Sequence, residues 1–99
     1  MKVGILGTGF GAYHASIYKK ISSIESVKIF GRNVDKLSNI KADLGIDVTN
    51  NIDDILNDPD IDLIDVCLPN HLHTEYVIKA LEKGKNVFCE TTISSSLEG

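Results

Sequence analysis

Short apolar runs alternate with helix-like segments five times along these 99 residues, and that alternation predicts an α/β fold. The stretches between successive runs are too long for hairpins, as parallel strands joined by crossover helices require. A glycine-rich turn, Gly7-Thr8-Gly9-Phe10-Gly11-Ala12, stands where the first run gives way to the first helical segment. Together these observations predict a doubly wound parallel sheet of about five strands with helices on both faces.

Lys2 to Leu6 is the first strand, compact and apolar, ending in the glycine turn. The helix after it carries Tyr13, Ile17 and Ile21 at i, i+4 and i+8, with Ala15 and Tyr18 beside them, and these define its expected buried face. Val27 to Phe30 is the second strand. Asn33 is placed to cap the next helix, whose Leu37, Ile40 and Leu44 repeat at helical spacing, and Gly45 sits where a terminating glycine belongs. Ile46 to Val48 forms a short third strand. A brief helix follows Asn51 through Ile52, Ile55 and Leu56, and the turn residues Asn57-Asp58-Pro59 close it. Ile61 to Leu68 is the longest strand candidate. After Pro69-Asn70 a helix runs through Val77, Ile78 and Leu81, with Lys79 and Lys83 at its negative end and Gly84 as its stop. Asn86 to Cys89 is the fifth strand, and Ser94-Ser95-Ser96 has the composition of another helix start.

A chain of this length buries about two-thirds of its unfolded surface, enough for one modest core. Fourteen acids against ten Lys and Arg give a net charge of −4. The distribution is more telling: between Ala42 and Ile78 there are nine acids and no Lys or Arg. That stretch is the opposite of the basic face that nucleic acid or an anionic membrane surface needs. The N-terminus lacks the apolar core of a signal peptide, and no run reaches the length of a membrane span. Cys67 and Cys89 have no metal-ligand spacing and read as two buried thiols in a reducing cytoplasm.

Gly7, Gly9 and Ala12 fall at the spacing of a dinucleotide-binding turn. Gly7 permits the sharp exit from the strand, Gly9 lets a pyrophosphate approach the backbone, and Ala12 is expected to let helix and strand pack closely. First-turn N–H groups then face the phosphates, where the helix dipole favours anions. No Gly-Lys-Ser/Thr follows, which excludes a P-loop. At the end of the second strand an NAD site usually places an acid on the ribose, yet this sequence has Gly31-Arg32-Asn33. A guanidinium there suits a 2′-phosphate, which weighs towards NADP while leaving NAD open. Arg32 lying over the adenine, or simply solvated, is the plainer alternative. Pro69-Asn70-His71-Leu72-His73 follows the fourth strand, into the crevice where doubly wound sheets hold ligands. The two histidines lie two residues apart at a helix start, a spacing that does not aim them at one metal. Glu90-Thr91-Thr92 leaves the fifth strand into the same crevice.

Three segments in order carry a resemblance: Val3 to Gly11, Pro69 to His73, and Ala80-Leu81-Glu82-Lys83-Gly84-Lys85-Asn86-Val87-Phe88-Cys89-Glu90. Together, over Lys2 to about Leu97, the chain resembles the nucleotide-binding half of the Gfo/Idh/MocA oxidoreductases, the glucose–fructose oxidoreductase and inositol dehydrogenase family. The resemblance implies an NAD(P)-binding Rossmann domain over residues 1–99, with a sixth strand and a C-terminal α+β substrate domain expected beyond them. It also implies hydride transfer on a sugar, cyclitol or related polyol. By that analogy Gly7, Thr8, Gly9, Phe10, Gly11 and Ala12 surround the pyrophosphate, and Arg32 and Asn33 the adenosine ribose. Leu68, Pro69, Asn70 and His73 line the path to the nicotinamide, and Glu90 closes the site.

The sequence departs from the family at Thr91-Thr92, where the usual pair is Lys-Pro. A hydroxyl is a poor proton partner beside an ammonium. The usual acid/base residues of the substrate domain have no positions here, so no catalytic residue is assigned. A non-catalytic dinucleotide-binding or redox-sensing module is therefore the alternative. The unpaired edge of the fifth strand is expected to favour self-association, a homo-oligomer included, or to leave the chain with low stability.

Overall fold

The computed structural model describes residues 1–68 and 70–89. Five parallel strands form one sheet in the order β3-β2-β1-β4-β5. They are β1 (Lys2–Leu6), β2 (Ser26–Phe30), β3 (Asp47–Thr49), β4 (Leu63–Val66) and β5 (Asn86–Cys89). Between them lie α1 (Gly9–Tyr18), α2 (Val34–Leu44), the single turn α3 (Asp53–Leu56) and α4 (Asn70–Glu82). From β1 the chain steps outward to β2 and β3, then returns to place β4 on the other side of β1. The strand order therefore reverses between β1 and β4. At such a reversal the crossovers diverge and leave a crevice beyond the carboxyl ends of the strands.

Alternation along each strand sends side chains to two cores. On one face Val3, Ile5, Val27 and Ile29 meet Ala15 of α1 and Leu37 of α2. On the other, Leu6, Phe30, Ile64 and Val66 meet Ile55 and Leu56 of α3 and Ala80 of α4. The α2 ends follow the expected chemistry. Asn33 accepts from the Lys36 N–H at 3.1 Å, and Gly45 closes the helix in the left-handed conformation, its N–H on the Lys41 carbonyl. The strand β4 is shorter than its apolar run: Ile61 packs into the core from the preceding turn, and Leu68 sits in a bend past the last strand pair. The strand β3 begins one residue later than expected, because Ile46 is spent on the core beside α2.

Helices α1 and α4 bury different faces from those their large apolar residues mark. In α1 the buried residues are Gly11, His14 and Ala15, while Tyr13 and Ile17 are exposed. In α4 Ala80 is fully buried with Tyr76 and Val77 packed beside it, and Ile78 and Leu81 face outward. Small residues let a helix approach the sheet closely, so they, rather than the bulky ones, mark the inward faces. Cys67 and Cys89 are half-buried rather than buried, and neither forms a disulfide. Lys85 is an unforeseen buried cation. Its ammonium donates to the carbonyls of Asp58 (2.6 Å) and Ile61 (2.9 Å), tying the start of β5 to the turn before β4.

Candidate functional site

The sequence-marked residues gather at the carboxyl end of the sheet, because β1, β2 and β4 are parallel neighbours and each ends beside one of them. Gly7 leaves β1 with φ +112°, a conformation that L side chains rarely adopt. Its N–H donates to the Phe30 carbonyl at 2.9 Å, and a Cβ here would stand 2.6 Å from the Cys67 carbonyl oxygen. The glycine is thus wedged between the ends of β2 and β4.

Thr8 is the N-cap of α1, but its side chain makes no capping bond, and no acid occupies the first turn. The first-turn N–H groups and the positive end of the dipole are left to the crevice, which fits an anionic pyrophosphate. A Cβ built on Gly9 meets nothing within 4 Å, so the space above it is open to a ligand. Phe10, next along, is largely exposed. The close packing expected of Ala12 belongs to Gly11 instead. A Cβ on Gly11 would come within 2.9 Å of Ile5 and 3.2 Å of Ile29, whereas Ala12 is only half-buried. The helix rotates its second glycine inward, and Ala12 lies to the side of the contact.

Gly31 closes the turn from the β2 side: a Cβ there would sit 2.3 Å from the Thr8 methyl. Arg32 and Asn33 follow, both exposed. The Asn33 oxygen is engaged in capping α2, which leaves Arg32 as the cationic group at this end of β2. Across β1, Leu68 is half-buried at the end of β4, and Asn70 opens α4. His73 is half-buried in the first turn of that helix. Pro69, Glu90 and Thr91 lie outside the described residues.

A polar cluster that the sequence reading missed lies beneath the turn. Asp65, fully buried in β4, accepts from the Tyr18 hydroxyl at 2.8 Å and lies 2.7 Å from Nδ1 of His14. The Cys67 thiol donates to the other carboxylate oxygen at 3.3 Å and lies 3.3 Å from Nδ1. Phe88 of β5 covers the imidazole, ring centres 6.2 Å apart. His, Asp and Cys together could ligate zinc. A tetrahedral zinc holds neighbouring N and O ligands about 3.3 Å apart, so the 2.7 Å separation here is that of a hydrogen bond. The signal available in the sequence was an aspartate inside the apolar run Leu63-Ile64-Asp65-Val66, since a buried carboxylate needs partners.

Burial, then the hydrogen bond to Asp65, push the Tyr18 hydroxyl well above the ordinary tyrosine range. Because the folded value is raised, the stabilisation is complete below the unfolded value and is lost as pH climbs past it. Thermal stability should therefore fall as pH rises above about 10. Tyr18→Phe should flatten that alkaline fall in melts run across this range; an unchanged profile would contradict the assignment.

A family model described as an oxidoreductase family with an NAD-binding Rossmann fold matches residues 1–99. The chain is 31% identical over 99 residues to a myo-inositol 2-dehydrogenase of Thermotoga maritima, covering 98% of this chain and 30% of that protein. Among solved structures, levoglucosan dehydrogenase in complex with NADH and levoglucosan superposes with a TM-score of 0.79 at 29% identity, covering 90% of this chain and 27% of that one. Biliverdin reductase from Synechocystis, in complex with biliverdin and NADP+, gives 0.81 at 27% identity over 89% of this chain and 28% of that one. The chain spans 26% to 30% of the length of the first curated relatives it matches.

Proposed function

This chain belongs to the Gfo/Idh/MocA oxidoreductase family, and from that premise we propose that it forms the dinucleotide-binding half of an enzyme acting on a sugar, cyclitol or related polyol. The observation that carries the reading is the uncapped, acid-free N-terminus of α1, set by Gly7 at the point where strand order reverses. Bound NAD(P) supplies a hydride donor or acceptor at its nicotinamide ring.

The chain's own residues divide the binding work. Thr8 to Ala12 surround the pyrophosphate, with the Gly9, Phe10 and Gly11 N–H groups turned to it while that of Ala12 donates to the Thr8 carbonyl, and the open space above Gly9 admits it. Arg32, with Asn33 beside it, takes the adenosine ribose. Leu68, Pro69, Asn70 and His73 line the way to the nicotinamide, Leu68 being the apolar wall, and Glu90 closes that end. Inositol and levoglucosan, named for two of the matched proteins, support a polyhydroxylated substrate. Substrate contacts and the proton partner belong to a second domain in this proposal.

Matched structures hold NADH in one case and NADP+ in another, so the preference rests on Arg32. A charge-assisted hydrogen bond to a 2′-phosphate is worth about 1.5–3 kcal/mol, roughly ten- to a hundredfold in affinity. Calorimetric titration should show NADPH binding more tightly than NADH by that factor. Arg32→Ala should erase most of the difference and leave NADH nearly unchanged. Equal affinities in the unmodified protein would sink the preference.

A second reading, a dinucleotide-binding module without catalysis, is favoured by Thr91-Thr92 where the family usually carries Lys-Pro. Assaying NAD(P)H absorbance with a panel of sugars and cyclitols, on the protein with its full reading frame, separates the two. Steady turnover supports the enzyme, and cofactor binding without turnover supports the module.

A further inference from the structure

Helix α1 rests on the sheet through residues that give it little purchase. Gly11 and Ala15 make its close contact with Ile5 and Ile29, neither with a side chain long enough to interlock with the strands, and Tyr18 packs against the same core from the last turn. Such a contact brings the helix close but resists sliding and rotation weakly. Among the described residues, the buried carboxylate of Asp65 bonds α1 at two points, His14 and Tyr18, and the Cys67 thiol lies 3.3 Å from the same His14 nitrogen. At 1.5 Å per residue these anchors stand about 8 Å and about 14 Å along the helix from Gly9.

The same carboxylate reaches the opposite wall of the crevice. Its other oxygen accepts the Cys67 thiol, two residues further along β4. The Cys67 backbone is itself the surface on which Gly7 is wedged, and its N–H donates to the Leu6 carbonyl at 2.8 Å. One buried side chain thus ties the helix that presents the first-turn N–H groups to the strand end that carries Leu68.

We propose that Asp65 is a positioning residue for the dinucleotide site: through His14 and Tyr18 it fixes the seat of α1, and so the aim of the Gly9–Gly11 amides at the pyrophosphate. The proposal rests on the dinucleotide reading above and adds a residue that touches no part of the ligand. A hydrogen bond to an anion depends steeply on distance and angle, so a small slide of the helix weakens several of them together.

The test is the affinity for NADH and NADPH of Asp65→Asn, His14→Leu and His14→Asn, measured where circular dichroism shows each variant folded. Asparagine at position 14 offers an amide N–H where histidine carries Nδ1, so it restores the bond that leucine removes. The expected result is about tenfold weaker binding in Asp65→Asn and His14→Leu, roughly the loss of one charge-assisted bond. His14→Asn should lie near the unmodified protein. The Asp65→Asn/His14→Leu double variant should be no weaker than either single one, because both break the same link. The factor should be the same for both cofactors, since they share the pyrophosphate.

Equal weakening by leucine and asparagine at position 14, additive effects, or a change confined to NADPH would overturn the proposal. If Asp65→Asn fails to fold, the two His14 variants still decide it. Failure of the unmodified protein to bind either cofactor would instead overturn the dinucleotide reading.

Discussion

Replacing Gly9 with valine is expected to remove measurable dinucleotide binding while the protein stays folded. A Cβ at this position meets no protein atom within 4 Å, so the fold has room for it. Gly9 is also the first residue of α1, where valine is no poorer a helix former than glycine. The branched side chain would occupy the space above the first-turn N–H groups, where the pyrophosphate is placed. Losing two charge-assisted bonds at about 1.5–3 kcal/mol each means at least about a hundredfold in affinity. Calorimetric titration and a thermal melt on the same sample read both halves of the claim. Undiminished binding by the folded variant would mean that the phosphates lie elsewhere.

Gly7→Val should do the reverse and act on the fold itself. Its φ of +112° strains any side chain, and the added Cβ would meet the Cys67 carbonyl oxygen at 2.6 Å. That oxygen belongs to backbone at the end of a paired strand, so it has little freedom to retreat. Backbone strain and overpacking at about 1–3 kcal/mol each give a loss of about 2–6 kcal/mol. A domain of this kind has only about 5–15 kcal/mol of total stability. Urea unfolding should show a large drop in midpoint; a change below about 1 kcal/mol would contradict the strain argument.

These two glycines are two residues apart in sequence, yet their substitution acts on different things. The motif names both, yet only the structure shows that a Cβ at Gly7 would strike the protein while the space above Gly9 is open. The alternation of apolar runs was enough for the sheet, its parallel strands and the place of the turn, because strand and helix periods differ and the connections were long. The inward faces of α1 and α4 were not legible in the same way. Periodicity weights Tyr13, Ile17, Ile78 and Leu81, but close approach to the sheet selects Gly11, Ala15 and Ala80. Asn33 as helix cap and Gly45 as helix stop were readable because their chemistry is local. The bond between His14 and Asp65 joins residues 51 apart in sequence, and only the β1–β4 pairing brings them together. Lys85 was hidden for a similar reason, since its partners are backbone carbonyls more than twenty residues away.

In the proposed complex the pyrophosphate sits on the Gly7–Ala12 turn, above the reversal between β1 and β4. Amide chemical-shift mapping during titration with NADPH tests it most directly, because it reports position as well as affinity. Saturating shifts are expected at Gly9, Phe10 and Gly11, extending to Arg32 on one side and Leu68 on the other. Shifts gathered instead around Lys19, Gly45 and Asp47, where a surface cleft lies beside the opposite ends of β2 and β3, would contradict it, as would no shift at all.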